Sequence, residues 1–119
     1  MTKAARLKAV HPATPKAPAH LEPATGAWWV SVCVDYDLEP HHVRLLTLAA
    51  EAWDRAQEAR VTIAKDGAYY RDRFGAPRPH PAVSVERDSR LSFARLLREL
   101  DLEGEPAPDP RMPRRRGGR

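Results

Sequence analysis

The chain has 119 residues, yet 19 are alanine, and Leu, Ile, Val and Phe together number 22, about 18 % and under the rough 20 % mark for a chain that folds throughout. Its net charge of +4 and pI near 9.6 point to a polyanionic partner, while its single cysteine excludes disulfide scaffolds, zinc ribbons and CxxC redox chemistry. The length fits one small domain rather than a multidomain enzyme. No apolar run approaches the roughly 18 residues of a membrane span or the core of a secretory signal, so a cytoplasmic location is expected.

Residues 1–20 carry Lys3, Arg6, Lys8 and Lys16 with no acid, interrupted by Pro12, Pro15 and Pro18. Residues 104–119 carry Arg111, Arg114, Arg115, Arg116 and Arg119 against Glu105 and Asp109, with four further prolines. Both ends bury too little apolar surface to offset the entropy of ordering them, and read as basic arms that are disordered or polyproline-like in isolation. The segment 21–103 keeps 20 of the 22 large aliphatic and phenylalanine side chains and is net acidic. It is the expected helical domain.

Pro23, Pro40 and Pro81 each stand where a helix can begin, since a proline at the first helical position gives up an N–H that has no partner there. The first predicted helix runs from Pro23 to Tyr36, although its valines also suit a strand. Trp28, Trp29, Val30, Val32, Cys33 and Val34 cannot all face one core. The second helix is predicted from Pro40 to Asp66 and is stopped by Gly67 in a left-handed cap. At 1.5 Å per residue it spans about 40 Å, more than so small a globule needs to cover its own core. Leu45, Ala49, Ala52, Ala56, Ala59 and Ile63 form one stripe; Leu46, Ala49, Trp53, Ala56 and Ile63 form an overlapping one. Trp28, Trp29, Leu46, Ala49, Trp53 and Ala56 are therefore the candidate oligomerisation residues.

Ala68 to Pro79, with Tyr69, Tyr70, Arg71, Arg73 and the turn signal Gly75 to Pro77, reads as a short hairpin or extended crossover. Arg71, Arg73 and Arg78 are candidate contacts for DNA or a partner. A third helix is predicted from Pro81 to Leu100, with Ala82, Val85, Ser89, Phe93, Leu96, Leu97 and Leu100 on its apolar face and His80 positioned to cap its start. The fold class is thus mainly α, with three helices and a long central one.

Catalytic constellations are missing. His41 and His42 diverge by about 100° on a helix and cannot chelate one ion together. The sequence contains no Gly-rich phosphate loop, no HExxH and no Ser/His/acid frame. Cys33 reads as a buried structural thiol. Carboxylates such as Asp54 and Glu58 lie near arginines at helical spacing and read as solvated pairs. No catalytic residue, metal or cofactor is expected. The basic arms, with Lys3, Arg6, Lys8, Lys16, Arg111, Arg114, Arg115, Arg116 and Arg119, are the candidate DNA-binding groups, giving phosphate affinity with little sequence readout.

The order of these features resembles a known family. Ala17-Pro18-Ala19-His20-Leu21, Gly26-Ala27-Trp28, Asp35-Tyr36-Asp37-Leu38, Leu45-Leu46 and the Ala-rich helix to Asp66-Gly67 are similar to the small terminase subunits of tailed bacteriophages, in the branch called P-twenty-seven. The run from Asp72 through Gly75 and His80-Pro81 to Val83, then Glu86-Arg87-Asp88 and Phe93-Ala94-Arg95-Leu96-Leu97, resembles that family's turn into its last helix. The resemblance covers residues 17 to about 102. It implies a non-enzymatic ring that binds double-stranded viral DNA and recruits and regulates the large terminase subunit, the holder of the ATPase and nuclease, in the host bacterial cytoplasm. The 20 residues before the core are too short and proline-rich for the separate helix-turn-helix domain that many small terminases carry. The alternative reading is a small dimeric DNA-binding regulator that uses the last helix, with Arg87, Arg90, Arg95 and Arg98, as its reader.

Overall fold

A computed structural model describes residues 15–102. Three helices, α1 (Pro23–Asp35), α2 (Pro40–Asp66) and α3 (Pro81–Leu100), are joined in chain order, with strands β1 (Tyr69–Arg71) and β2 (Pro77–Pro79) between α2 and α3. The architecture is mainly helical with a two-stranded crossover, as the sequence predicts. Each helix opens on its proline.

α2 and α3 lie antiparallel and form the body of the molecule. Their seam is built from small side chains, with Ala49, Ala56, Ala59 and Ser89 buried, which lets the two backbones approach closely. α1 crosses the other flank of α2, where Leu21, Trp29, Val32, Leu46, Ala50 and Leu100 form one buried cluster. Trp29 Nε1 donates to Thr47 Oγ1 at 3.1 Å, so the tryptophan's polar atom enters the core already paired. In α1, a methyl on Gly26 would stand 3.4 Å from Ala17 Cβ; the segment leading into α1 packs that tightly on its first turns.

The terminations differ from expectation in one respect. Gly67 ends α2 at φ 90° and ψ 157°, not in the predicted left-handed helical cap, while its N–H still reaches Ile63 O at 2.7 Å. This mirror-extended conformation is open essentially to glycine alone and turns the chain directly into β1. At the far end of the crossover, His80 accepts from the Ala82 N–H through Nδ1 at 3.0 Å and places Nε2 3.3 Å from Asp66 Oδ2. One imidazole thus caps α3 and ties it to the end of α2, the role its position before Pro81 predicts.

The solvated pairs with nearby arginines expected for Asp54 and Glu58 are not formed as ion pairs among the described residues. Asp54 instead accepts from the Thr25 hydroxyl at 2.6 Å and the Glu22 N–H at 2.9 Å, which fixes the start of α1 to α2. The physical reason is geometric: Asp54 lies on the side of α2 that faces α1, where two donors converge on its carboxylate.

Candidate assembly and nucleic-acid surfaces

The crossover is a projection whose two strands are exposed along their length. β1 and β2 pair antiparallel, with Tyr69 opposite Pro79, Tyr70 opposite Arg78 and Arg71 opposite Pro77. Asp72 organises the turn: Oδ1 accepts from the N–H groups of Phe74 (2.8 Å) and Ala76 (3.0 Å), and Oδ2 from Arg78 Nε (3.0 Å). The Arg78 guanidinium, then the Ala76 and Phe74 amides, hold its carboxyl below the usual carboxylate range. Gly75 takes φ 80° at the tip.

Arg71, Arg73 and Arg78 are brought together on this projection and all are exposed. Arg71 Nη1 donates to Gly75 O at 2.6 Å, and the Arg73 guanidinium sits 5.0 Å from the centroid of the Phe74 ring. Two of the three arginines therefore hold the turn while leaving further N–H donors free. Phe74 is 79 % exposed at the tip. It is not among the candidate contact residues that the sequence singles out.

Of the basic arm residues, Lys16 is exposed just before α1. Lys3, Arg6, Lys8, Arg111, Arg114, Arg115, Arg116 and Arg119 lie outside the described residues. On α3, Arg87 and Arg90 are paired with Asp88 and Glu86 at 3.3 Å each, whereas Arg95 and Arg98 make no ion pair among the described residues.

The candidate oligomerisation residues divide. Trp29, Leu46, Ala49 and Ala56 are between 0 and 6 % exposed and lie inside the protomer, packed by α1 or α3. Trp28 is half-buried and Trp53 is 44 % exposed, so only these two reach the surface. Within the protomer α1 covers the Leu46 side of α2, which leaves Trp28 and Trp53 as the members of this set available to a neighbouring copy. The two surface tryptophans meet Phe93, with ring centroids 6.0 Å (Trp28) and 5.1 Å (Trp53) away, and the three rings border an apolar cleft of about 300 Å³. On the opposite side of the α2–α3 pair a second cleft, of about 430 Å³, is lined by Leu48, Ala52, Val85 and Leu96 together with the charged Glu51, Arg55 and Asp88.

No group of three or more His, Cys, Asp or Glu side chains is placed to hold a metal among the described residues. Cys33 is half-buried, and desolvation pushes its thiol up, away from the reactive thiolate. No helix among the described residues is long and apolar enough to cross a membrane.

Among the described residues these features define a helical module with two surfaces, a helix pair that leaves apolar side chains exposed and a basic aromatic hairpin. A family model described as phage terminase, small subunit, matches residues 30–106. The chain belongs to the phage terminase small-subunit family, which is generally non-catalytic and has DNA and the large terminase subunit as its partners in general. No curated protein and no solved structure matches the chain.

Proposed function

We propose that this protein is the small terminase subunit of a tailed bacteriophage, of the P-twenty-seven branch. It acts without catalysis as a ring that binds double-stranded viral DNA and recruits and regulates the large terminase subunit in the host cytoplasm. The family match over residues 30–106 carries this reading. The protomer's surface supports it, because among the described residues Leu48, Trp53 and Val85 of the α2–α3 pair stay exposed, which is energetically costly for a lone protomer. Phosphate contacts come from the basic ends, with the hairpin arginines Arg71, Arg73 and Arg78 as a second set of contacts to DNA or a partner. Around a closed ring, weak attractions of this kind become multivalent.

Two measurements test the proposal. Light scattering on the full chain at micromolar concentration is expected to give a closed oligomer; a strict monomer overturns the ring. Deleting residues 104–119 removes five arginines. The slope of log affinity for duplex DNA against log salt is then expected to fall by up to about 4. An unchanged affinity and slope remove the C-terminal end from DNA binding.

A further inference from the structure

The hairpin differs in charge from the body that carries it. Residues 68–80 hold three arginines and one aspartate, net +2, while the rest of the described chain, 15–67 and 81–102, holds nine basic and twelve acidic side chains, net −3. The register puts Tyr70 and Arg78 on one face of the ribbon and Tyr69, Arg71, Pro77 and Pro79 on the other, because directly opposed residues share a face and successive ones alternate. Every strand residue is exposed, Tyr69 at 68 % and Tyr70 at 48 %, so neither face serves as a layer of the core.

The three guanidiniums gather at the turn. Arg71 reaches Gly75 O, Arg73 stands beside the Phe74 ring, and Arg78 reaches Asp72. Arg78 is held in a distinct way: its anchor is Nε, 3.0 Å from Asp72 Oδ2, and its two terminal nitrogens make no hydrogen bond among the described residues. They stand as a free planar fork. Asp72 is itself fixed, its side chain 18 % exposed and its Oδ1 bonded to the Phe74 and Ala76 amides. The fork is therefore mounted on backbone, with little freedom left to lose on binding.

We infer that the hairpin enters the major groove of duplex DNA tip first and that Arg78 reads a guanine there, with Asp72 as its positioning residue. This rests on the DNA-binding reading above and assigns that reading a base-reading residue. A positive tip on an acidic body selects a polyanion, and a ribbon bare on both faces fits a partner with two walls rather than a flat one. Two strands about 4.8 Å apart, with side chains on either face, suit the roughly 12 Å major groove, which admits a two-stranded ribbon, and not the roughly 6 Å minor groove. Guanine presents O6 and N7 side by side at the groove floor, two acceptors that match the two free arms of Arg78. Arg71 and Arg73 supply charge toward the phosphates of the walls, contacts that position without reading sequence.

The test selects tight binders from a pool of random-sequence duplexes with the full chain and with Arg78→Lys, which keeps the charge and removes the fork. The unaltered chain is expected to enrich a site with an invariant guanine. Replacing that guanine by 7-deazaguanine, in which a C–H stands for N7, is expected to weaken binding about tenfold. With Arg78→Lys the enrichment and the 7-deazaguanine effect are expected to vanish, while affinity for an unselected duplex and its salt dependence stay unchanged. Exchange protection of the Phe74 and Ala76 amides shows whether the turn survives the substitution; where it does not, the 7-deazaguanine effect on the unaltered chain decides alone. A guanine that persists in Arg78→Lys, a 7-deazaguanine duplex bound as tightly as its parent, or a selected pool with no preferred base overturns the inference and leaves sequence-blind DNA binding standing. An Arg78→Lys chain that binds selected DNA unchanged but loses the large terminase subunit assigns the hairpin to a protein and also overturns it. A full chain that binds no duplex overturns the DNA-binding reading itself, a distinct result.

Discussion

The Thr25 hydroxyl donates to Asp54 Oδ1 at 2.6 Å and seats the first turn of α1 on the middle of α2. Thr25 is 6 % exposed, and the same carboxylate takes the Glu22 N–H. Replacing Asp54 with alanine leaves both donors short of an acceptor, one of them buried, at a cost of about 2 kcal/mol. At fixed protein concentration, which matters for an assembling chain, thermal unfolding is expected to move down by about 8 to 16 °C. A melting curve that does not move shows that α1 is held by its apolar contacts alone.

Leu46 is the fully buried large side chain at the junction of α1 and α2. Leu46→Ala is expected to cost about 2–5 kcal/mol through lost burial and the cavity left behind. Trp53→Ala removes a larger side chain but from a surface 44 % exposed. In urea titrations of the dissociated protomer, the order of midpoints is expected to be unaltered chain, then Trp53→Ala, then Leu46→Ala. The reverse order of the two variants contradicts the placement of α1.

Asp72 gives the hairpin an acid limit. Its carboxyl is held below the ordinary range, chiefly by the Arg78 guanidinium. A depressed carboxyl contributes order that is complete above its unfolded pKa, about 3.9, and that is lost as pH falls through the lowered folded value. The Phe74 and Ala76 amides, both bonded to Asp72, are therefore expected to keep their exchange protection at pH 4 and to lose it only in more acidic solution. Asp72→Asn is expected to remove that transition and to loosen the turn at neutral pH. Protection that fades in the unaltered chain already at pH 5 contradicts the assignment.

Gly67 is held at φ 90° and ψ 157°, where an L side chain is strained. A Cβ there meets only Tyr69 O, at 3.6 Å, an ordinary contact, so the cost of Gly67→Ala is torsional. About 1–3 kcal/mol is expected, read as a lower denaturation midpoint. Gly75→Ala, at φ 80° in open space on the tip, is expected to loosen the hairpin amides while leaving global unfolding nearly unchanged. Equal global losses at both positions tie the hairpin tip to the core in a way its exposure contradicts.

The helices were legible in the chain because their limits are local chemistry. Pro23, Pro40 and Pro81 start them, Gly67 ends the longest, and His80 caps α3, all through backbone groups within a few residues. The family, too, was legible from the order of short motifs, and the hairpin from its Gly-x-Pro turn. The division of the apolar residues was not. Leu46 and Trp53 share a stripe on a helical projection, yet one is sealed under α1 and the other faces outward. The side of α2 on which α1 settles depends on contacts between residues far apart in the chain, such as Thr25 with Asp54 and Trp29 with Thr47. The amino-acid sequence by itself determined where each helix begins and ends and that the domain carries more apolar surface than one core accommodates. Only the tertiary structure decided which of that surface stays exposed, because burial is set by the neighbour that arrives and not by the residue that waits.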